Sequence, residues 1–215
     1  MVVKWETEKE DTRLIKLLAI QFGLAVEIVN ELLNLVIYET FEHEDDIIFY
    51  DKHCNSIWFL LSGRALSYTN SGNDIHLTNL HIEGGTVFMG DMDSFIFGGL
   101  TEEGCRSHGV SSMLRLDKSH YDYIIDKHAG LERFILFITR MNLRKVTHQR
   151  NCLRGLKRDQ KIELFFKLYP VFSLFLNNKS IRSLIKAHDD NIGTYRTDNN
   201  LRKDLIMPDK KYYYN

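Results

Sequence analysis

The stretch Ser56-Ile57-Trp58-Phe59-Leu60-Leu61-Ser62-Gly63 and its continuation Ala65-Leu66-Ser67-Tyr68 predict two β-strands joined by a tight turn. β-Branched and aromatic residues favour strands, and Ser-Gly is a turn signal. Similar short runs lie on either side, at 46–50 and 75–78, with turn clusters between them. Several strands at this spacing are typical of a small antiparallel sandwich or barrel, which we expect to end near residues 113–116.

Helical periodicity lies on both sides of this β region. Before it, one amphipathic run covers 14–22 and a second apolar run covers 24–37. After it, the spacing of apolar residues predicts a short helix from Lys118, a long helix over 128–153 and a further helix over 159–169 that Pro170 stops. Residues 154–157 are a candidate hinge between the last two of these helices.

The long helix carries an apolar stripe on one side, formed by Leu131, Phe134, Ile135, Ile138 and Met141. A stripe of this width can form a helix–helix seam between two copies of the chain. It can equally pack against the β domain of its own chain. The sequence favours the dimer seam and leaves the second arrangement open.

The charge of the chain is divided between its two ends. Residues 1–133 contain 11 Lys and Arg against 22 Asp and Glu, whereas residues 134–215 contain 17 against 7. A basic end is a candidate for binding a polyanion such as nucleic acid. Basic helices with solvated faces give the same pattern, so charge alone does not decide between the two.

Two short helices are expected in the basic end, at 179–187 and 189–201. Asn178 or Ser180 could cap the first, and Asp189 or Asp190 the second. Two short helices joined by a tight turn fit a helix-turn-helix, although any small helical bundle produces the same pattern.

Composition excludes several classes of protein. The chain has 215 residues, of which 44% are apolar, which is enough for a core. We expect no membrane span and no secretory signal, because no apolar run is long enough and the first ten residues lack the apolar core of a signal peptide. Three separate cysteines and scattered histidines indicate a reducing cytoplasm and no metal site. No catalytic constellation is recognised, so we expect a protein that is not an enzyme.

A glycine-rich segment, 85–92, is followed by Arg106-Ser107. This is the chemistry of a phosphate cassette, because glycines let backbone N–H groups approach an anion and a guanidinium adds a bidentate donor. Asp91 could accept a hydrogen bond from a sugar hydroxyl. The alternative is two ordinary turns and a surface arginine.

The order of these parts resembles the Crp/Fnr family of bacterial transcriptional regulators over roughly residues 38–203. The segments that carry the resemblance are His43–Phe49, Ser56–Gly63, Phe88-Met89-Gly90-Asp91, Arg106-Ser107 and Asp159–Pro170. The resemblance implies an α+β fold with three parts. These are a double-stranded β-helix or jelly-roll effector domain of the cyclic-nucleotide-binding type over 1–127, a dimerisation helix over 128–154 and a winged helix-turn-helix over 155–215.

Carried over residue by residue, the resemblance implies an effector site at Gly90, Asp91, Arg106 and Ser107. Asp91 would hold a ribose hydroxyl, and Arg106 with Ser107 a cyclic phosphate. The chain departs from the family pattern, because Asp91 replaces a Glu and His108 replaces a small residue. The long helix has no clear Thr-Ser pair for contacting a base, and Thr139 and Thr147 are candidates for this contact. A cyclic nucleotide therefore competes with another small effector or with none, and no cofactor is required.

The resemblance also implies a DNA-binding surface. Its candidate residues are Arg182, Lys186, Asp190, Asn191, Thr194, Arg196, Arg202 and Lys203. Asp190 replaces a base-reading Glu of the family, Thr194 replaces an Arg, and Arg196 matches a second Arg. Lys186 stands where the family has a Gly that often needs a positive φ, and Gly193 interrupts the second helix.

The sequence thus predicts a cytoplasmic, homodimeric regulator that binds double-stranded DNA and is modulated by a small molecule. The main alternative is a non-catalytic sensor module with a degenerate helix-turn-helix that acts through a protein partner. A metal enzyme with a cupin-like barrel is disfavoured, because histidines 43, 53, 76, 81 and 108 lack ligand spacing.

Overall fold

The computed structural model of the protein describes residues 23–71, 74–82, 87–186 and 191–198. The helices of these residues are α1 (Val26–Leu35), α2 (Met92–Phe97), α3 (Lys118–Lys127), α4 (Ala129–Arg154), α5 (Arg158–Leu168), α6 (Pro170–Phe175), α7 (Asn178–Ile185) and α8 (Asn191–Asp198). The strands are β1 (Ile37–Phe41), β2 (Asp46–Ile48), β3 (Ser56–Ser62), β4 (Arg64–Ser71), β5 (Asp74–Ile82), β6 (Val87–Met89), β7 (Gly104–Ser107) and β8 (Ser111–Asp117). The amphipathic run predicted at 14–22 lies outside the described residues.

The strands form two four-stranded sheets, with the orders β1-β8-β3-β6 and β2-β7-β4-β5. Strand β3 lies between β8 and β6 and is antiparallel to both, so that Phe59 faces Leu114 on one side and Phe88 on the other. In the second sheet, β7 is antiparallel to both β2 and β4. The predicted antiparallel sandwich is confirmed.

Both faces of β3 are buried, which explains its unbroken apolar sequence. Ile57 and Phe59 belong to a core cluster that includes residues of helices α1 and α4. Trp58 and Leu60 point to the opposite face and join a cluster with Ala65 and residues of both sheets. A strand covered on both faces reads as a continuous apolar run instead of an alternating one.

The apolar stripe of α4 packs against the β domain of its own chain, so the seam predicted from this stripe was wrong. Leu131, Phe134, Ile135 and Ile138 are at most 2% exposed and share a core cluster with Phe59. Only Met141 of the predicted stripe is exposed, at 46%. The sequence could not separate the two arrangements because both bury the same stripe.

The described residues fall into two compact units. The first comprises those up to Thr69 together with Leu80–Lys145, and the second comprises Asn70–Asn79 and those from Val146 onward. The boundary between Lys145 and Val146 lies within α4, and the bounds predicted from the sequence, 1–127, 128–154 and 155–215, stay a prediction.

The second unit contains α5 to α8, and the region where a wing would follow α8 lies outside the described residues. Pro170 ends α5 as predicted but also begins α6, because proline is tolerated in the first turn of a helix. Within the described residues, none of the helices has the length and apolar content needed to cross a membrane.

We predict that Gly63→Ala destabilises the protein by about 2 kcal/mol or more. Gly63 has φ +88°, and a Cβ there would lie 2.5 Å from the carbonyl oxygen of Val110. The matched control is Gly99→Ala, because a Cβ at Gly99 has no neighbour within 4 Å. Urea unfolding of both variants measures the difference, and equal midpoints would contradict this account of the turn.

Candidate functional site

Asp91 and Gly90 have structural roles in the segment that follows β6. Asp91 is the N-cap of α2: its Oδ1 accepts from the backbone N of Ser94 at 3.0 Å, and its Oδ2 accepts from that of Glu102 at 2.9 Å. A Cβ at Gly90 would lie 3.0 Å from the Cγ2 of Ile57. The glycine therefore allows a close approach to β3, and the carboxylate holds two backbone donors.

Arg106 lies on β7 beside a carboxylate of the neighbouring strand β2. Its Nε donates to the Oδ1 of Asp46 at 3.1 Å, and the hydroxyl of Tyr68 donates to the same oxygen at 3.0 Å. The guanidinium carbon lies 5.1 Å from the centre of the Tyr68 ring. Burial, together with the hydrogen bond to Asp46, raises the pKa of Tyr68, so its hydroxyl stays protonated.

Gly104 makes room for this arrangement. A Cβ at Gly104 would lie 2.4 Å from the Cζ of Tyr68. The ring therefore lies directly over the backbone of β7, where it supports the Arg106 guanidinium. We call the three side chains Asp46, Tyr68 and Arg106 the Arg106 cluster. It is partly exposed and combines an ion pair with a cation–π contact.

Ser107 is 1% exposed and points away from the Arg106 cluster. Its Oγ donates to the carbonyl of Gly109 at 2.6 Å and lies 3.0 Å from the Oγ of Ser111. The next residue, His108, contacts His43 with ring centres 5.2 Å apart. Burial first, and then the positive charge of Arg64, lowers the pKa of His108 to about 4, so this histidine is neutral at pH 7.

Three of the four candidate effector residues therefore have separate hydrogen-bond partners in the structure, and the fourth, Gly90, lies close to Ile57. Asp91 is bound to backbone N–H groups at the start of α2, Arg106 to Asp46, and Ser107 to the turn before β8. On the long helix, the Oγ1 of Thr139 donates to the carbonyl of Ile135, four residues earlier. Among the described residues, no group of three or more His, Cys, Asp or Glu is placed to hold a metal ion.

Helices α7 and α8 confirm the two short helices expected in the basic end. The N-cap of α7 is Asn177, whose side chain accepts from the backbone N of Ser180 at 2.7 Å, so the prediction of Asn178 or Ser180 as the cap was wrong. Asp189 and Asp190 lie outside the described residues. Lys186 ends α7 with φ 51° and ψ 45°, which confirms the positive φ predicted there.

Arg196 of α8 binds groups of its own unit. It donates to the Oδ1 of Asn178 at 2.8 Å and to the carbonyl of Ser173 at 2.6 Å, and also to the carbonyl of Leu176. Its guanidinium carbon lies 5.8 Å from the centre of the Phe166 ring. Arg196 thus connects α8 to α5, to the end of α6 and to the start of α7.

The position of Arg196 in its helix could have indicated this role. Ile192 is fully buried, and Arg196 follows it by four residues, so both lie on the same face of α8. Gly193 belongs to the same packing, because a Cβ there would lie 3.3 Å from the Nδ2 of Asn178. The glycine that weakens α8 as a helix also lets it approach α7 closely.

The other candidate DNA-binding residues are distributed as follows. Lys186 and Thr194 are exposed, and Arg182 is half-buried on α7. Asn191 is the first residue of α8. Asp190, Arg202 and Lys203 lie outside the described residues.

The β-sandwich with its helices has the cyclic-nucleotide-binding-like fold of Crp/Fnr-type regulators, as the sequence resemblance predicted, while the winged helix-turn-helix stays a prediction. The chain is similar to CLP of Xanthomonas campestris, a c-di-GMP-responsive global regulator, with a TM-score of 0.59 and 12% identity over 82% of this chain and 92% of that one. A CooA variant from Carboxydothermus hydrogenoformans gives a TM-score of 0.55 and 12% identity over 81% of this chain and 83% of that one. The catabolite activator protein of Thermus thermophilus gives a TM-score of 0.50 and 14% identity over 83% of this chain and 86% of that one.

Neither a protein-family model nor a curated protein matches the sequence. At identities this low the likeness concerns the fold, and the activity of the chain has to be argued from its own residues.

We predict that Arg196→Ala lowers the stability of the second unit by about 2 kcal/mol, because it leaves three buried or partly buried acceptors without their donor. Arg196→Lys should recover little of this, since an ammonium cannot reproduce the planar fork. Thr194→Ala, an exposed change on the same helix, is the control. Thermal unfolding measures the effect, and wild-type stability with a selective loss of DNA binding would instead make Arg196 a DNA contact.

Proposed function

We propose that the protein is a homodimeric, DNA-binding transcriptional regulator modulated by a small-molecule effector. The observation that carries the proposal is a fold likeness to a global regulator that extends over 82% of this chain and 92% of the other. A likeness of this extent is longer than the β-sandwich alone, which supports a regulator with further helices after its sandwich domain. The regulators it resembles are not enzymes, which favours a non-catalytic role. Buried free thiols at Cys54 and Cys105 are compatible with a cytoplasmic location.

The proposed DNA interface is the exposed surface of α7 and α8. One side of this helix pair packs inside the unit, where Ile181, Ile185 and Ile192 are at most 2% exposed. Lys186 and Thr194 are on the exposed side, with Arg182 partly exposed. In a helix-turn-helix the second helix enters the major groove and the first crosses the backbone. Lys186 would then contact a phosphate, and Thr194 a base edge or a thymine methyl group.

Arg196 has a different role in this proposal from the one the sequence suggested. Its hydrogen bonds to Asn178, Ser173 and Leu176 make it a positioning residue that sets how α8 lies against α7. Asp190, Asn191, Arg202 and Lys203 complete the proposed DNA-binding set.

The proposed effector site is the Arg106 cluster, with Gly90, Asp91 and Ser107 supporting the strands and turns around it. An anionic effector, a cyclic nucleotide included, would compete with Asp46 for the guanidinium of Arg106. Arg106 should therefore raise the affinity for such an effector, and Asp46 should lower it. Arg106→Ala removes the cation, whereas Asp46→Asn removes the competing charge.

The proposed dimer interface is the side of α4 that faces away from its own β domain. Leu136 and Leu143 are 48% and 63% exposed and are spaced by one heptad. Between them, on the same face, lies Arg140, which is also exposed. Two exposed leucines at a heptad spacing on the outer side of a helix are typical of the start of a coiled-coil seam.

We predict that Leu136→Glu combined with Leu143→Glu converts the dimer to a monomer, because it places like charges where the two helices would meet. Sedimentation velocity measures the change. The control is Val110→Glu, which puts the same charge on a residue that is 47% exposed in the turn before β8. A double variant that still sediments as a dimer would place the interface elsewhere.

The alternative is a sensor module with a degenerate helix-turn-helix that acts through a protein partner. One observation favours it: the arginine expected to read bases is engaged inside the unit. Such a module would bind DNA through phosphates alone. Its affinity would fall steeply with salt and would show no preference among sequences.

The experiment that separates the two functions is selection from a pool of randomised duplex DNA at physiological salt. A dimeric regulator should enrich a site with two-fold symmetry whose half-sites are about one helical turn apart. The selection is run without effector and with cyclic AMP or c-di-GMP, and is repeated with Arg106→Ala. No enrichment under any condition, from a protein that sediments as a folded dimer, would reject sequence-specific binding and favour the sensor module.

A further inference from the structure

The tip of the β4–β5 hairpin lies on the first helix of the proposed helix-turn-helix. We define the hairpin tip as residues 74–79 of β5, which group with the second unit. The Oδ1 of Asp74 lies 2.6 Å from the Nζ of Lys179 on α7. The Oγ of Ser183 donates to the backbone carbonyl of Leu77 at 3.3 Å. Lys179 and Ser183 are one helical turn apart, so the hairpin tip follows one face of α7.

This face of α7 differs from the one that packs inside the unit. Ile181 and Ile185 are at most 2% exposed, whereas the side chains of Lys179 and Asp74 are 67% and 58% exposed. Lys179 also lies in the first turn of α7, where the helix dipole disfavours a cation and a carboxylate beside it is favourable. Asp74 supplies that carboxylate, and the hydrogen bond from Lys179 lowers the pKa of Asp74.

The other end of the hairpin is held firmly. Ser67 of β4 and His81 of β5 are each at most 7% exposed, and the Oγ of Ser67 lies 2.8 Å from the Nε2 of His81. A buried hydrogen bond of this kind fixes the pairing of the two strands. The base of the hairpin thus contains a buried hydrogen bond, whereas the contacts of its tip with α7 include an exposed ion pair and a long hydrogen bond.

From these contacts we infer that the hairpin tip is an autoinhibitory cover, in which the Asp74 carboxylate occupies Lys179 in the place of a DNA phosphate. The inference rests on the proposed DNA-binding function. In a helix-turn-helix the first helix crosses the sugar–phosphate backbone, so a lysine on its exposed face is a phosphate ligand. With Asp74 in place, that lysine is neutralised and a negative charge faces the approaching backbone.

The contact is suited to release. An ion pair between two exposed side chains is weak and is screened by salt, and a polyanion competes for the lysine with many charges at once. Ser183 adds only one long hydrogen bond. Strand β5 continues from the hairpin tip to Ile82 as one element.

The test is a double-mutant cycle on DNA affinity. Wild type, Asp74→Asn, Lys179→Gln and the double variant are titrated with a fluorescent randomised duplex at low and at physiological salt. Asp74→Asn should tighten binding roughly threefold or more, because it frees a phosphate ligand. In the Lys179→Gln background the same change should have little effect. A gain of equal size in both backgrounds would mean that Asp74 merely repels DNA, and would overturn the inference.

Asp126→Asn is the matched charge control, because Asp126 is an exposed aspartate on α3. It changes the net charge by the same amount and should leave affinity close to that of the wild type. If Asp126→Asn tightens binding as much as Asp74→Asn, the gain is a net-charge effect and the inference is wrong.

A second readout does not depend on DNA. The rate at which an amine-reactive acetyl reagent modifies Lys179, followed by mass spectrometry, should rise in Asp74→Asn and stay unchanged in Asp126→Asn. An unchanged rate in Asp74→Asn would overturn the inference even if DNA binding is normal. If no variant binds DNA even at low salt, the proposed function itself fails and the inference falls with it, an outcome that is distinct from normal binding without a gain in Asp74→Asn.

Discussion

The burial of strand β3 on both faces is the constraint on which the rest of the first unit depends. Trp58 and Leu60 fill the space between the two sheets, while Ile57 and Phe59 face the helices. Each such side chain contributes about 1.5–3 kcal/mol when it is withdrawn from water. Because Phe59 and the stripe of α4 bury each other in one cluster, this stripe is used within the chain.

Two arginines at positions of the family motifs are held by partners of their own unit. Arg106 is paired with Asp46 beneath the ring of Tyr68, and Arg196 is bound to Asn178 and two carbonyls. Both arginines were predicted to contact ligands. The two sites differ in consequence: Arg106 is partly exposed beside one competing carboxylate, whereas removal of Arg196 leaves acceptors unpaired inside the unit. In the proposed function, an effector would compete with Asp46, whereas a DNA contact by Arg196 would require its bonds to α6 and α7 to break.

The hairpin tip also holds a charged side chain of the proposed DNA-binding surface. Asp74 holds Lys179 through an exposed ion pair, and Ser67 with His81 holds the base of the hairpin through a buried hydrogen bond. If the protein binds DNA as proposed, Asp74 gives the acidic first part of the chain a local role beside Lys179, in addition to a general repulsion of DNA.

The sequence by itself determined that an antiparallel β region lies between helical segments, although it did not predict the short helices α2 and α6. The strand Ser56–Ser62 followed from its β-branched and aromatic residues, and the helices from Lys118 onward followed from apolar spacing. The family resemblance marked Lys186 as a position that often needs a positive φ. These are local properties, because backbone geometry and periodicity act over a few residues. Only the tertiary structure decided which partner each side chain meets. The stripe of α4 packs on its own sheet, Asp91 caps α2, and Arg196 turns inward, because such contacts join residues far apart in sequence whose pairing no local pattern specifies.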